Sequence, residues 1–241
     1  MKLPTNIAIA PKLGADKKRY INIHGHRQAS SVEEWVMMNL MARDFPPDDI
    51  ENGFYSLGFH PYNVGRVDEE ETLARVSMAV EHPRILAVGE IGLDKSIDAA
   101  MEDQLRIFEK QVDIAEASGL PVVLHVVRSF NEMIGFMKVR QVIVPMIIHG
   151  YNGSAQMAED LLEAGFLISF GEAITRERSK ILEALQGVPV EKMFLETDDG
   201  DMDIRELYRF AAKEKGLTED HLRMQIFENA RTYLSRFINF N

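Results

Sequence analysis

The chain has 241 residues, of which 46% are hydrophobic and 27% charged, a composition typical of globular proteins that excludes a disordered chain. Lys and Arg total 27 and Asp and Glu total 38, so the formal net charge is −11, which disfavours tight binding to duplex DNA or to an anionic membrane. The absence of cysteine excludes disulfides, zinc–thiolate sites and cysteine nucleophiles.

The first part of the chain differs from the rest. Residues 1–19 contain only a broken apolar stretch, interrupted by Pro11, and lack the core of a signal peptide. We expect them to form an N-terminal extension of one domain that spans residues 1–241. No apolar run reaches the roughly 18 residues that a membrane span needs. We therefore expect a cytoplasmic monomer that does not associate with membranes.

Short runs rich in Ile, Val, Leu and Phe recur from Tyr20 onward. Most are almost wholly apolar, with polar residues at their C-terminal ends, which is typical of strands covered on both faces. The eight runs span residues 20–26, 35–42, 54–61, 84–93, 121–127, 144–150, 166–173 and 192–198.

Helical patterns separate most of these runs. They cover residues 68–82, 98–119, 128–139, 154–165, 175–187, 203–216 and 218–237. Strands alternating with helices predict an α/β fold, a (β/α)8 TIM-type barrel, with an open doubly wound sheet as the alternative. The first two connections, residues 27–34 and 43–53, are too short for an ordinary crossover. We therefore predict an abridged barrel whose first two crossover helices are short or missing.

Imidazole and carboxylate side chains stand at the ends of the predicted strands. The strands concerned are the first (His24, His26), fourth (Glu90), fifth (His125), sixth (His149) and eighth (Asp198). In a closed parallel barrel all strand C-termini open onto one face, so these residues would converge there. Imidazole and carboxylate without thiolate suit Zn, Mn, Fe, Co or Ni. The sequence therefore predicts a metal site.

Eight motifs resemble one known family. They are INIHGHR (21–27), GFHP (58–61), AVGEIGLD (87–94), LPVVLH (120–125), IIHGYNGS (147–154), GFLISFGEAIT (165–175), FLETD (194–198) and ENARTYL (228–234). Together they resemble the TatD-like family of metal-dependent hydrolases, which includes deoxyribonucleases and belongs to the amidohydrolase superfamily. The resemblance covers nearly the whole chain after residue 19.

The resemblance implies two divalent metal ions (Zn, Mg, Mn, Co, Ni or Fe). His24, His26 and Asp198 would hold one ion, His125 and His149 the other, and Glu90 would bridge them. Two cations about 4 Å apart repel, so a shared carboxylate is needed between them. Water bridging the metals would lose a proton near neutral pH and give a hydroxide nucleophile. Asp198 would orient that hydroxide and accept a proton, as a catalytic residue beside Glu90.

Three further residues have two interpretations each. His60 resembles the family's substrate-side histidine, which implies a catalytic contact with a phosphate or leaving group; a structural His-Pro turn is the alternative. Arg128 is either a substrate-binding residue that pairs with a phosphate or a solvated arginine at a helix start. Relatives place this arginine two residues after the histidine, whereas here it follows His125 by three. Asp94 either orients a ligand histidine or caps a loop.

The loop after the eighth strand departs from the family pattern. Relatives have a proline shortly after the ETD motif, whereas this chain has Asp199, Gly200 and Asp201. This loop should be more flexible and more acidic than in relatives. Its two aspartates would repel a polyanion unless metals offset their charge.

Three functions compete on these grounds. The first is a divalent-metal phosphodiesterase, a deoxyribonuclease that acts on nucleic-acid ends. The second is a metallohydrolase of small amides, esters or lactones, which the acidic balance favours. The third is an inactive metal-binding barrel that serves as an interaction module, against which the complete ligand set argues.

Overall fold

Eight parallel strands form a sheet that closes on itself. The computed structural model describes residues 19–176 and 180–237. The strands are β1 (Tyr20–Gly25), β2 (Glu34–Met41), β3 (Tyr55–Gly58), β4 (Ile85–Asp94), β5 (Val122–Val127), β6 (Met146–Ile148), β7 (Leu167–Phe170) and β8 (Met193–Leu195). They pair in sequence order from β1 to β8, and a bridge from Gly25 to Asp198, three residues after β8, joins the first strand to the last. The barrel prediction is confirmed, and the open doubly wound alternative is wrong.

Helices surround the barrel after β3. They are α1 (Glu69–Ala79), α2 (Met101–Ser118), α3 (Phe130–Arg140), α4 (Ala155–Glu163), α5 (Lys180–Gly187), α6 (Ile204–Glu214) and α7 (Glu219–Tyr233). Each was predicted from its apolar spacing, and local signals fix the ends. The Asp68 carboxylate accepts the backbone N–H of Glu71 at the start of α1, and Gly119 ends α2 with a φ of 64°.

The first two crossovers contain no α-helix among their described residues, as the short connections predicted. Residues 26–33 join β1 to β2 without a helix, and only the 3-10 turns Ala42–Asp44 and Ile50–Asn52 lie between β2 and β3. Aromatic side chains cover this side instead. The Trp35 ring of β2 lies 5.3 Å from the Phe54 ring and 4.9 Å from the Phe237 ring, which follows α7.

Strand β4 has the length that the sequence predicts but is displaced by one residue, to Ile85–Asp94 from the predicted 84–93. Its register with β5 shifts between Val88 and Ile91, and pairing then continues to Asp94. Glu90 therefore lies in the middle of the strand rather than near its end. Gly92, with a φ of 148°, passes so close to the backbone of His125 that a Cβ there would collide with the His125 carbonyl oxygen.

Two expectations concern the chain outside this barrel. The predicted N-terminal extension lies outside the described residues except for Arg19. Among the described helices, none combines the length and the apolar character that crossing a membrane requires.

Candidate metal centre

Glu90 lies at the centre of a cluster formed by the predicted ligands. Its Oε1 is 2.7 Å from His125 Nδ1 and 2.7 Å from His149 Nε2. Its Oε2 is 3.7 Å from His24 Nε2. The two oxygens of one carboxylate therefore face different histidines, which come from different strands.

Asp198 lies on the His24 side of this cluster. Its Oδ1 is 3.5 Å from His24 Nε2 and 3.4 Å from His26 Nε2. Backbone bonds hold these neighbours together: the Asp198 N–H donates to the His24 carbonyl at 3.1 Å, and the His26 N–H donates to the Asp198 carbonyl at 3.3 Å. One ligand atom each from His24, His149 and Asp198 lie within 4.8 Å of one another. All six predicted ligands thus meet at the C-terminal end of the barrel.

The surroundings of His24 test whether this cluster fits a metal. His24 is fully buried, and neither of its ring nitrogens has a hydrogen-bond partner among the described residues. A buried polar group without a partner costs free energy. A cation at Nε2 would satisfy the ring, and imidazole with carboxylate suits Zn and the transition metals named above. The residues present therefore fit a divalent metal.

The ionisation of Glu90 and the ionisation of its neighbouring histidines depend on each other. Burial alone would raise the pKa of the Glu90 carboxyl, but the neighbouring His149, His125 and His60 outweigh burial and lower that pKa. Burial would lower the pKa of the His149 imidazole, but Glu90 and Glu196 raise it well above 6.5. The carboxylate of Glu90 and the imidazoles that face it therefore favour each other's charged forms.

The same coupling acts on the Asp198 side. Burial would raise the pKa of the Asp198 carboxyl, but proximity to His24 and His26 lowers it. Contact with Asp198 raises the pKa of the His26 imidazole against the opposing effect of burial. Asp198 is therefore ionised at neutral pH and is suited to bind a cation.

Carboxylates also hold the second ring nitrogen of His125, on β5, and of His149, which directly follows β6. His125 Nε2 lies 3.0 Å from Asp94 Oδ2, and His149 Nδ1 lies 3.2 Å from Glu196 Oε1. Such contacts fix the orientation of a ligand ring and leave its other nitrogen for a metal. Asp94 also accepts the backbone N–H of Ser96 at 2.7 Å, so it both caps a loop and contacts a ligand histidine.

Two residues that support the cluster were missed by the sequence analysis. Glu196 is fully buried, and its Oε1 accepts the Gly150 N–H at 2.6 Å. Its two-residue spacing from Asp198 was the available signal. Asn39 makes two hydrogen bonds to Glu90. Its Oδ1 accepts the Glu90 N–H at 3.0 Å, and its Nδ2 donates to Glu90 Oε2 at 3.3 Å. A single amide within the otherwise apolar run of residues 35–42 was the signal there.

His60 forms the predicted His-Pro turn and also lies beside Glu90. It begins a 3-10 turn, and its Nδ1 accepts the backbone N–H of Tyr62 at 3.1 Å. Its Nε2 lies 3.4 Å from Glu90 Oε1, and its ring centroid is 4.4 Å from that of His125. Because Nδ1 accepts a hydrogen bond, the neutral ring carries its proton on Nε2, which points at the cluster.

Arg128 lies outside the cluster of contacts. It follows β5 with a φ of 54°, is exposed, and directly precedes Ser129, the N-cap of α3. No ion pair joins Arg128 to an acidic side chain in the described part of the chain. The structure thus places an exposed arginine at a helix start, on the end of the barrel that carries the ligands, and a phosphate contact of Arg128 stays a prediction.

The negative charge of the loop after β8 is partly neutralised by an arginine. The Arg27 guanidinium donates to the Asp201 carboxylate and, at 3.3 Å, to the Asp199 carbonyl. The Asp199 side chain is 84% exposed and lies 4.0 Å from His26 Nδ1. A cavity of about 340 Å³ opens beside this loop and is lined by Asp198, Asp199 and Glu172, among others.

Comparison with known proteins agrees with this geometry. The model of a family described as TatD related DNase matches residues 28–235. An uncharacterized metal-dependent hydrolase, YjjV of Escherichia coli, is 30% identical over 178 residues, which cover 72% of this chain and 66% of the relative. A 3'-5' ssDNA/RNA exonuclease, TatD of Musicola paradisiaca, is 28% identical over 145 residues, which cover 58% of this chain and 54% of the relative. The chain thus spans less than two thirds of the length of these relatives.

A solved structure shows the same fold. The crystal structure of YjjV, a TatD homologue from Escherichia coli, superposes with a TM-score of 0.80 at 21% sequence identity, over 91% of this chain and 99% of the other.

Proposed function

The chain belongs to the TatD-related DNase family, and we propose that it is a divalent-metal-dependent phosphodiesterase that acts on nucleic-acid ends. One observation carries the proposal. The two oxygens of Glu90 face two histidine groups, at 2.7 Å from His125 and His149 and at 3.7 Å from His24. A carboxylate between two sets of ligands is the arrangement that two cations require.

The chain offers two sets of ligands to the metals. His24, His26 and Asp198 would hold one ion, His125 and His149 the second, and Glu90 would contact both. Bound divalent cations supply positive charge that acidifies water and stabilises the negative charge that develops on a phosphoryl oxygen.

Two side chains would then act on water and substrate. The contacts of Asp198 with His24 and His26 both use Oδ1, which leaves Oδ2 to orient water and accept its proton. His60 would donate from Nε2 to a phosphate or leaving-group oxygen, since its Nδ1 is occupied by the Tyr62 N–H. Arg128 would bind a phosphate from the rim of the site.

The choice of nucleic acid rests on the relatives and on charge. The relative from Musicola paradisiaca is named as an exonuclease for single-stranded DNA and RNA. A net charge of −11 gives little non-specific attraction for duplex DNA, so recognition would depend on the metals and on a few cations near the site. The end of a single nucleic-acid strand that enters the C-terminal end of the barrel could be bound through these few positive charges.

The test combines metal content with hydrolysis. Protein purified without chelator should contain two metal ions per chain and release nucleotides from single-stranded DNA. Glu90→Ala should lose metal and activity together, because its removal leaves two cations without the carboxylate between them. Glu109→Ala, an exposed glutamate in the middle of α2, is the matched control and should behave as wild type. An active Glu90→Ala protein with two metals would refute the proposal.

A hydrolase of small amides, esters or lactones is the second candidate. The observation in its favour is the acidic lining of the 340 Å³ cavity beside Asp198, which includes Glu172 and the exposed Asp199. Such a cavity disfavours polyanions and accepts neutral substrates. Turnover of esters or amides by metal-loaded protein that leaves single-stranded DNA intact would select this function.

A further inference from the structure

An exposed aromatic ring with a stacked cation lies at the rim of the metal centre. Tyr62 is 52% exposed, and the Arg66 guanidinium carbon is 4.0 Å from the centroid of its ring. We call this pair the Tyr62–Arg66 platform. Arg66 covers one face of the ring as a cation–π contact, which leaves the other face available to a planar ligand.

The backbone holds the platform in place. Tyr62 lies in the 3-10 turn Pro61–Asn63, where its N–H donates to His60 Nδ1 at 3.1 Å. The N–H of Asn63 donates to the His60 carbonyl at 2.9 Å, and that of Arg66 donates to the Asn63 carbonyl at 3.0 Å. Because the turn is already ordered, binding of a ligand to the ring loses little backbone conformational entropy.

His60 links the platform to the metal centre. The same imidazole accepts the Tyr62 N–H at Nδ1 and lies 3.4 Å from Glu90 Oε1 at Nε2. Tyr62 is therefore two residues from a side chain that faces the proposed reacting atoms. A nucleotide whose phosphate reaches His60 would bring its base to the neighbouring turn.

Charge points to the same ligand. Arg66 is exposed and has no ion pair with a carboxylate anywhere in the described residues, although acidic residues exceed basic ones by 11 in the whole chain. An arginine stacked on a ring keeps its N–H groups free at the edge for an anion. The platform thus offers a stacking surface and a phosphate donor side by side.

We propose that the Tyr62–Arg66 platform binds one nucleotide of a single-stranded end, with the base stacked on Tyr62 and a phosphate on Arg66. This subsite rests on the proposed function and specifies its substrate as an unpaired strand. A base within a duplex is already stacked on its neighbours, so only an unpaired base can lie on the ring. Stacking accepts every base, so the subsite selects strandedness rather than sequence.

Binding of two oligonucleotides tests the subsite. Both are single-stranded, fluorescent and hydrolysis-resistant through phosphorothioate linkages; one carries a base at the terminal nucleotides and the other an abasic analogue there. Fluorescence anisotropy with Mn²⁺-loaded wild-type protein should show about tenfold tighter binding of the base-bearing strand. Tyr62→Ala should abolish the difference between the strands, and Tyr62→Phe, which retains the ring, should preserve it.

Tyr233→Ala is the matched control. Tyr233 also stacks with a cation, with Lys192 Nζ 5.4 Å from its ring centroid, but Lys192 precedes β8 at the opposite end of the barrel. This variant should retain the preference for the base-bearing strand. Arg66→Gln should weaken the salt dependence of binding by about one phosphate contact.

The outcomes separate this subsite from the proposed function. Equal binding of the two strands by wild-type protein, or an unchanged preference in Tyr62→Ala, would overturn the subsite whether or not the protein hydrolyses DNA. Failure to hydrolyse natural DNA, together with a base preference that disappears in Tyr62→Ala, would overturn only the proposed function and support the subsite.

Discussion

His149, which directly follows β6, is oriented by the protein before any metal binds. Glu196 contacts its Nδ1 and is itself held by the N–H of Gly150 and, at 2.5 Å, by the hydroxyl of Ser169. The carboxylate thus has a partner for each oxygen, and His149 presents Nε2 to the centre of the site. The orientation of this ligand ring is therefore assigned to residues that do not bind the metal themselves.

Replacement of Glu196 tests that assignment. Glu196→Ala leaves the donors of Gly150 and Ser169 without their partner and frees the His149 ring, so metal affinity should fall about 10- to 100-fold. Glu196→Gln keeps a hydrogen-bond acceptor, so its metal affinity should lie between those of Glu196→Ala and wild type. Competition with a chromophoric chelator measures the affinity, and Glu163→Ala, an exposed glutamate on α4, is the control. Wild-type affinity in Glu196→Ala would contradict the assignment.

The metal-free protein should lose stability as the pH rises above neutrality. Carboxylates outweigh burial and raise the pKa of His125 and His149 above the ordinary value of 6.5. The stabilisation that these protonated rings provide is complete below about pH 6.5 and disappears as the pH rises through their raised pKa values.

The melting temperature of chelator-treated protein should therefore decrease from about pH 6.5 upward. His149→Ala removes one of the two groups, so the decrease should be smaller in that variant. A melting temperature that is constant or rises over this interval would contradict the assigned charge states.

At the level of single residues, the sequence predicted the ligands better than their supports. His125 and His149 each follow apolar residues, where an unpaired polar side chain is costly, and the joint pattern of histidines and carboxylates at strand ends predicted the ligands. Glu196 belongs to the FLETD motif, but its role depends on contacts with β6 and β7. Those contacts join Glu196 to Ser169, which is 27 positions away, and to Gly150, which is 46 positions away, so they could not be inferred from local spacing.

At the level of elements, α2 positions the loops on either side of Glu90. Gln111 donates to the Phe59 carbonyl at 3.0 Å and accepts the Phe59 N–H at 2.7 Å, one residue before His60. Gln104 accepts the Asp94 N–H at 2.8 Å and donates to the Asp94 carbonyl at 3.0 Å. Two buried amides on one helix therefore bind the backbone at two places beside the site, at Phe59 and at Asp94.

Gln111→Leu should reveal this support. The variant leaves a buried N–H and a buried carbonyl of Phe59 without partners, so the free energy of unfolding should fall by about 2 kcal/mol. Displacement of His60 should also lower kcat. Gln156→Leu, an exposed glutamine on α4, should change the free energy of unfolding by less than about 0.5 kcal/mol. Urea denaturation followed by Trp35 fluorescence measures the free energy of unfolding of both variants. Equal stability of the two variants would contradict this role.

Strands and helices were predicted with their order and type, but their ends were not. The predicted strand over residues 84–93 begins and ends one residue before the observed Ile85–Asp94, and the register shift that follows Val88 was not predicted, because it depends on pairing with β5. The predicted strand over residues 54–61 shortens to Tyr55–Gly58, since His60 and Pro61 begin a 3-10 turn. In both cases tertiary contacts decided the boundary.

At the level of the whole molecule, the barrel closes although two crossover helices are missing. Short connections indicated their absence, but the sequence did not identify what covers β2. In the structure, Trp35 packs against Phe54 and against Phe237 from beyond α7. A contact between residues 202 positions apart follows from closure of the barrel and carries no local signal.

Closure also brings the two ends of the ligand set together. The bridge between Gly25 and Asp198 joins β1 to the segment after β8, so His24 and His26 lie beside Asp198. An open sheet would leave these residues at opposite edges. The metal centre is therefore a consequence of the fold as much as of the ligands themselves.

Anomalous diffraction from crystals of metal-loaded protein would locate the bound ions. We expect two anomalous peaks at the C-terminal end of the barrel, one beside His24, His26 and Asp198 and the other beside His125 and His149, with Glu90 between them. A single peak, or peaks remote from Glu90, would contradict this expectation.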